Sequence, residues 1–151
     1  MTGTCRKGSA NYKFKSNQLE NSESEPLTLR QQVRICFNKK NPIESLFAGH
    51  YYQPTTDNYP SYDSFVYEPE SREVTAFQVT IAERHDFSSK GVIELHKLGQ
   101  RLQIGDLKIR VIVVVFEHDQ VTLTVGKALC DSSNLKVYTL RVTEDQLYRL
   151  P

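Results

Sequence analysis

The stretch IRVIVVVF, residues 109–116, is the strongest indication of the fold in this sequence. It is a run of β-branched and aromatic side chains that is interrupted only by Arg110. Because the run does not alternate between apolar and polar residues, it is typical of a strand buried on both faces. Strands of this kind usually lie centrally in a helix-covered sheet. We therefore expect an α/β domain with residues 109–116 in the middle of its core.

Further strands are expected on both sides of this stretch. They are 27–37, with an interruption at Gln31, and 62–67, 74–82, 121–125 and 135–142. The polar connection at residues 68–73 contains Pro69, which breaks strands, and it predicts a β-hairpin between the segments 62–67 and 74–82.

The clearest helix is expected at residues 91–103. Leu95, Leu98 and Leu102 recur there at helical spacing, and Ser88 before them is suited to be the N-cap. This helix comes directly before the central strand in the chain. We expect it to cover one face of the sheet.

Two shorter helices complete the expected order. Residues 43–49 follow Pro42, which suits a first helical turn, and they carry Glu44. A capping-box pattern at Thr143 and Gln146 predicts a short final helix. The resulting order is β, α, β, β, α, β, β, β, α, without an internal repeat.

The composition indicates one ordinary domain with a loose N-terminal arm. The chain has 151 residues, 38% hydrophobic and 25% charged, with a net charge of +1, so no global field attracts nucleic acid. Residues 1–25 show no period of 2 or 3.6, and we expect a flexible arm there, followed by a domain at 26–151. The basic residues of the arm favour either a nucleic-acid contact or a solvated tail.

The cysteines, the apolar runs and the first residues of the chain predict the cellular compartment. Cys5, Cys36 and Cys130 are widely spaced and odd in number, so we interpret them as reduced thiols. The longest apolar run, 111–116, is far shorter than a membrane span, and the basic start at Arg6 and Lys7 is not followed by a signal-peptide core. We expect an intracellular protein, nuclear or cytoplasmic, that does not contact a membrane.

A candidate metal site lies in the predicted hairpin. A register that pairs Tyr67 with Val74 puts Asp63 opposite Gln78, with their Cβ atoms about 5 Å apart. The Asp63 carboxylate, the Gln78 side-chain carbonyl, a backbone carbonyl and Glu44 are oxygen donors of the kind that Mg²⁺ prefers. The pattern therefore suggests a Mg²⁺ site.

Three motifs and one histidine resemble a known family. The motifs are GHYYQP at 49–54, PSYDSF at 60–65 and FQVTI at 77–81. Together with His85 they resemble the PD-(D/E)XK nuclease-like domains of the crinkler and RHS-type (retrotransposon hot spot-like) family, over about residues 30–142. The resemblance implies a restriction-endonuclease-like mixed sheet flanked by helices, and Mg²⁺-dependent hydrolysis of DNA.

The resemblance also implies a role for particular residues. Asp63 corresponds to the Asp of the motif, Gln78-Val79-Thr80 to the (D/E)-x-K tripeptide, and Glu44 to an upstream acid. The chain departs from the motif twice, because Gln78 is a neutral amide and Thr80 stands where the motif has Lys. Hence two functions remain open: a nuclease, or a catalytically inactive relative that binds nucleic acid or a protein as an effector or interaction module.

Further residues are candidates for catalysis or for contacts with nucleic acid. His85 follows the strand of Gln78 and could contact a scissile phosphate, act as a general acid or cap a loop. Lys90, Lys97 and Arg101 fall on one stripe of the long helix, which suits a DNA backbone or an ordinary solvated face. Tyr52 belongs to a tyrosine-rich segment whose rings either stack on bases or pack on the domain. DNA is a more expected partner than RNA.

Overall fold

A computed structural model of the protein describes residues 9–16, 25–30, 33–56, 62–81, 83–86, 88–116, 119, 122–124 and 134–143. It contains one α-helix, α1 (Ser89–Arg101), in this part of the chain. The strands are β1 (Ser9–Ser16), β2 (Glu25–Arg30), β3 (Val33–Phe37), β4 (His50–Pro54), β5 (Ser64–Glu68), β6 (Glu73–Val79), β7 (Arg84–Asp86), β8 (Lys108–Phe116), β9 (Thr122–Thr124) and β10 (Leu135–Val142).

The strands form a mixed sheet, as an α/β domain requires. Eight of them follow the order β2-β1-β10-β8-β6-β5-β4-β3, and β7 pairs with β9 in a separate small sheet. The predicted central strand, β8, runs parallel to both of its neighbours, β10 and β6. The pairs β6 with β5 and β5 with β4 are antiparallel. The prediction of a mixed α/β sheet built around residues 109–116 is confirmed.

The two faces of β8 are both buried, which explains its unbroken apolar sequence. Ile109 and Val111 belong to a core cluster that also contains Val92 and Leu95 of α1. Ile112 points to the opposite face, where it packs in a second cluster with other buried side chains. Burying one such side chain contributes about 1.5–3 kcal/mol. The strand therefore contributes buried apolar side chains to both core clusters.

Helix α1 begins and packs as its sequence predicts. The Ser88 side chain accepts a hydrogen bond from the Lys90 amide at 3.3 Å, which is the expected N-cap. The helix ends at Arg101, slightly before the predicted end at residue 103. A Cβ atom at Gly99 would lie 2.9 Å from Leu107 Cδ2, so glycine permits the close approach of the helix to the segment entering β8. No helix in the described residues is long and apolar enough to span a membrane.

The hairpin β5–β6 has the predicted register. Tyr67 pairs with Val74 and Ser64 with Phe77. Strand β6 nevertheless ends at Val79, before the expected end at residue 82. Beyond Phe77 the expected apolar face is not covered, because Val79 is 57% and Ile81 is 78% exposed.

The predicted helix at 43–49 is wrong. These residues have no regular secondary structure apart from a turn that includes Gly49, whose φ is +76°. Side chains from elsewhere replace the hydrogen bonds that a helix would make. Tyr52 Oη accepts from the Phe47 amide at 2.9 Å, and Arg101 Nη2 donates to the Ile43 carbonyl at 2.5 Å. Neither partner is visible in the local pattern.

The predicted irregular arm contains a strand. Residues 9–16 form β1, which pairs with β2 along most of its length and with β10 at only two positions, Lys15 and Ser16. Tyr12 and Phe14 alternate with Asn11 and Lys13, but this alternation covers too few residues to predict a strand from the sequence. The boundary between arm and domain at residue 26 stays a prediction.

The other predicted elements agree with the structure where it describes them. The strand at 27–37 is divided into β2 and β3 around the expected interruption, β9 falls within 121–125, and β10 has the predicted bounds. The final helix lies outside the described residues. Cys36 is a free thiol, whereas Cys5 and Cys130 lie outside the described part of the chain.

Candidate functional site

Asp63 lies at the entry of β5, beside the end of β6. Its amide donates to the Phe77 carbonyl at 2.7 Å, and its Oδ2 accepts from the Val79 amide, also at 2.7 Å. The carboxylate thus accepts the hydrogen bond that the Val79 amide would otherwise donate to a backbone carbonyl of the neighbouring strand. These two bonds hold Asp63 directly against the tripeptide Gln78-Val79-Thr80.

The Asp63 carboxylate keeps capacity for another ligand. The residue is exposed, and an ionised carboxylate offers about four lone-pair sites on its two oxygens. The Val79 amide occupies one of them. Asp63 is therefore a structural acceptor for the end of β6, and it has oxygen lone pairs left for a cation.

Gln78 and Thr80 are placed by β8. Gln78 pairs with Val113 and is half-buried, and the Thr80 amide donates to the Val114 carbonyl at 3.1 Å. Thr80 is only 8% exposed. The position that corresponds to the Lys of the resembled motif is thus enclosed and carries a neutral side chain.

In the described part of the chain, no recorded contact joins Glu44 or His85 to Asp63. Glu44 is exposed in the irregular segment after Pro42. His85 lies in β7, where its backbone pairs with Leu123 of β9 in the separate sheet. Its side chain is outside what the structure describes. Within the described ranges, no group of three or more His, Cys, Asp or Glu side chains could hold a metal ion, and the Mg²⁺ ligand set stays a prediction.

Tyr52 is a core residue, so its predicted contact with bases is wrong. Its side chain is 2% exposed, and its ring stacks on Phe65 with centroids 5.0 Å apart. Burial raises the pKa of the Tyr52 hydroxyl above its usual value, and the hydrogen bond from the Phe47 backbone opposes that shift. The alternative reading, in which the tyrosine packs on the domain, holds for Tyr52.

The basic stripe on α1 is divided between two roles. Lys90 and Lys97 are exposed and remain available for an anionic partner. Arg101 donates through Nη2 to the Ile43 carbonyl, and so it fastens the irregular segment to the helix. Its guanidinium has five N–H donors, of which this bond uses one.

A groove that sequence reasoning missed lies between α1 and the segment after β3. Its volume is 770 Å³. Four of its lining residues are cationic and one is acidic: Lys39, Lys40, Lys97, Arg101 and Glu94. In the sequence, Lys39 and Lys40 belong to a polar stretch that follows the predicted strand 27–37, and they predict only a turn there. The adjacent lysines were a signal, but the helix that completes the groove is far from them in the chain.

Comparison of the chain with known protein families, with curated proteins and with solved structures gives no match.

Proposed function

We propose that this chain is a nuclease-like domain of restriction-endonuclease type that acts on or binds DNA, with a Mg²⁺ site centred on Asp63 and Gln78. The observation that carries the proposal is the hydrogen bond of 2.7 Å between Asp63 Oδ2 and the Val79 amide. It joins the residue that resembles the motif Asp to the middle of the segment that resembles the motif tripeptide. This bond holds the Asp63 carboxylate against that segment, in which the Gln78 side-chain carbonyl is the proposed second oxygen donor for a metal ion.

The residues at this end of the sheet fit a hard cation in part. Asp63 would supply carboxylate oxygens and Gln78 its side-chain carbonyl, while Glu44 is the candidate for a further ligand. When bound, Mg²⁺ supplies Lewis-acid stabilisation of phosphoryl oxygens and favours deprotonation of the attacking water. In this proposal Thr80 and His85 lie near that water, and Lys90 and Lys97 contact the DNA backbone.

A catalytically inactive module that binds nucleic acid or a protein is the second candidate. Thr80 favours it, because a buried hydroxyl, 8% exposed, stands where the motif has a cation. Threonine cannot carry the charge of lysine at any pH. The structural task of Asp63 also gives this residue a reason to be present without catalysis.

Titration with Mg²⁺, followed by NMR of backbone amides, separates these candidates. The Val79 amide is a direct reporter, because its hydrogen bond ends on Asp63 Oδ2. The proposal predicts saturable shifts of Asp63, Gln78 and Val79 at about millimolar Mg²⁺. The matched control, Asp63→Asn, keeps an oxygen for the Val79 amide, removes the charge and should not respond. If neither protein responds, the metal site is wrong and the inactive module becomes the better proposal.

A further inference from the structure

The groove between α1 and the segment after β3 has a preorganised basic wall. Asn38 Oδ1 accepts from the amides of Lys40 and Asn41 at 2.9 and 2.8 Å. Asn38 Nδ2 donates to Thr55 Oγ1 at 3.0 Å, which ties the turn to the chain that leaves β4. The backbone that carries Lys39 and Lys40 is thus held in one conformation, so little ordering of the main chain is needed when a ligand binds.

The opposite wall is the exposed side of α1, which contributes Lys97 and Arg101. The bond from Arg101 to the Ile43 carbonyl connects the two walls. Since both walls carry positive side chains and Glu94 is the acid among the groove's lining residues, the groove is complementary to an anion.

The interior of the groove is apolar. The exposed Pro42 and the half-buried Leu98 line it together with Phe37, Ile43 and Tyr62, which are at most 9% exposed and present little surface of their own. An inorganic anion would leave this surface uncovered. A ligand that combines a flat apolar part with a phosphate would contact the interior and the basic walls at once.

We propose that this groove is a nucleotide-binding site, which takes the phosphate between the lysine turn and α1 and the base against the apolar interior. Its volume of 770 Å³ lies within the usual range for small-molecule sites. A free nucleotide and the 5′-phosphorylated end of a single strand share this chemistry. The site does not depend on Asp63 or on Mg²⁺, so it stands or falls separately from hydrolysis.

The test is calorimetric titration of the full chain with thymidine 5′-monophosphate, with inorganic phosphate and with a 5′-phosphorylated oligothymidylate. Thymidine 5′-monophosphate should bind more tightly than phosphate because its base covers apolar surface. Tighter binding of the oligothymidylate than of the mononucleotide would identify a strand end as the source, and equal affinities would identify a free nucleotide. Binding of a hexaglutamate peptide as tight as that of the nucleotide would overturn the proposal in favour of an acidic protein partner.

Charge reversal locates the site. Lys39→Glu and Lys40→Glu should each weaken nucleotide binding about tenfold, as expected for a charge-assisted contact that becomes repulsive. The matched control is Lys136→Glu on β10, which changes another exposed lysine. Lys136 alternates with Leu135 and Val137, which belong to the core cluster that contains Val92 and Leu95 of α1, so it lies on the other face of the sheet. It should change the affinity less than about twofold, since distant exposed charges are screened.

Two further results would overturn the proposal. One is the absence of detectable binding of both nucleotide probes to wild type, and the other is equal loss of affinity in Lys39→Glu and Lys136→Glu. Circular dichroism checks that each variant is folded. Asp63→Asn should retain nucleotide binding, so failure of the nuclease proposal and failure of this site give different results.

Discussion

Among single residues, Asp63 combines a proposed task as a metal ligand with a second, structural task that its sequence context did not suggest. The motif resemblance predicts a metal ligand, and the structure adds a hydrogen bond from the Val79 amide. The second task could not be predicted, because it depends on where the β5–β6 ladder ends. A carboxylate at such a position affects both the local backbone and the local charge.

Asp63→Ala should therefore lower the free energy of unfolding by about 1 kcal/mol, the usual contribution of one hydrogen bond. Asp63→Asn should be closer to wild type, since its amide oxygen can accept the same proton. Urea unfolding with a chelator present measures both variants, and equal stability of Asp63→Ala and wild type would argue against the structural task.

Tyr52→Phe should change how stability depends on alkaline pH. Burial holds the pKa of Tyr52 in the folded protein above its ordinary value of 10.0, which applies to the unfolded chain. The folded state then binds more protons than the unfolded state above about pH 10, so the stabilising contribution is present below that pH and is lost as the pH rises. The free energy of unfolding of Tyr52→Phe should fall less steeply there. Parallel curves for the two proteins would contradict this assignment.

At the scale of elements, the periodic segments could be predicted and the irregular ones could not. Strand β8, helix α1 and the hairpin register follow from apolar patterns in adjacent residues. The segment 43–49 was misread because its backbone is satisfied by Tyr52 and by Arg101, which is 58 positions further along the chain. The groove was missed for the same reason, since its walls meet only in the folded chain.

The packing of α1 is tested by truncating its buried face. Leu95 is 1% exposed in the core cluster that also contains Val92 and Ile109. Leu95→Ala should lower the free energy of unfolding by about 2–5 kcal/mol. The matched control is Ile93→Ala on the same helix, because Ile93 is 48% exposed. Its effect should be much smaller. Chemical unfolding of both variants gives the comparison, and similar losses would mean that the buried face of α1 is misassigned.

The molecule as a whole carries almost no net charge, but basic side chains are concentrated in one groove. The net charge is only +1, yet Lys39, Lys40, Lys97 and Arg101 line one groove. A chain with so small a net charge is not drawn to nucleic acid by its overall field, so local basic regions such as this groove matter more. The fold supplies that concentration of charge by bringing the lysine turn beside α1.

Lys97→Ala should lower the slope of log affinity for DNA against log salt by about one, because one phosphate contact is lost. The structure changes the choice of variant: Arg101 also binds the Ile43 carbonyl, so Arg101→Ala would alter the fold of the segment as well as the charge. Lys136→Ala is the control and should leave the slope unchanged. An unchanged slope in Lys97→Ala would assign this part of the stripe to solvent.

The proposal that Asp63 and Gln78 form a Mg²⁺-dependent site that cleaves DNA is tested by a cleavage assay. Single- and double-stranded DNA are incubated with wild type, Asp63→Asn and Thr80→Lys in Mg²⁺ or Mn²⁺, with melting curves to show that each protein is folded. We predict cleavage by wild type, a loss of at least about a hundredfold in Asp63→Asn, and a gain in Thr80→Lys, where the lysine amine restores the charge of the motif. No cleavage by wild type or by folded Thr80→Lys with either metal would contradict the claim.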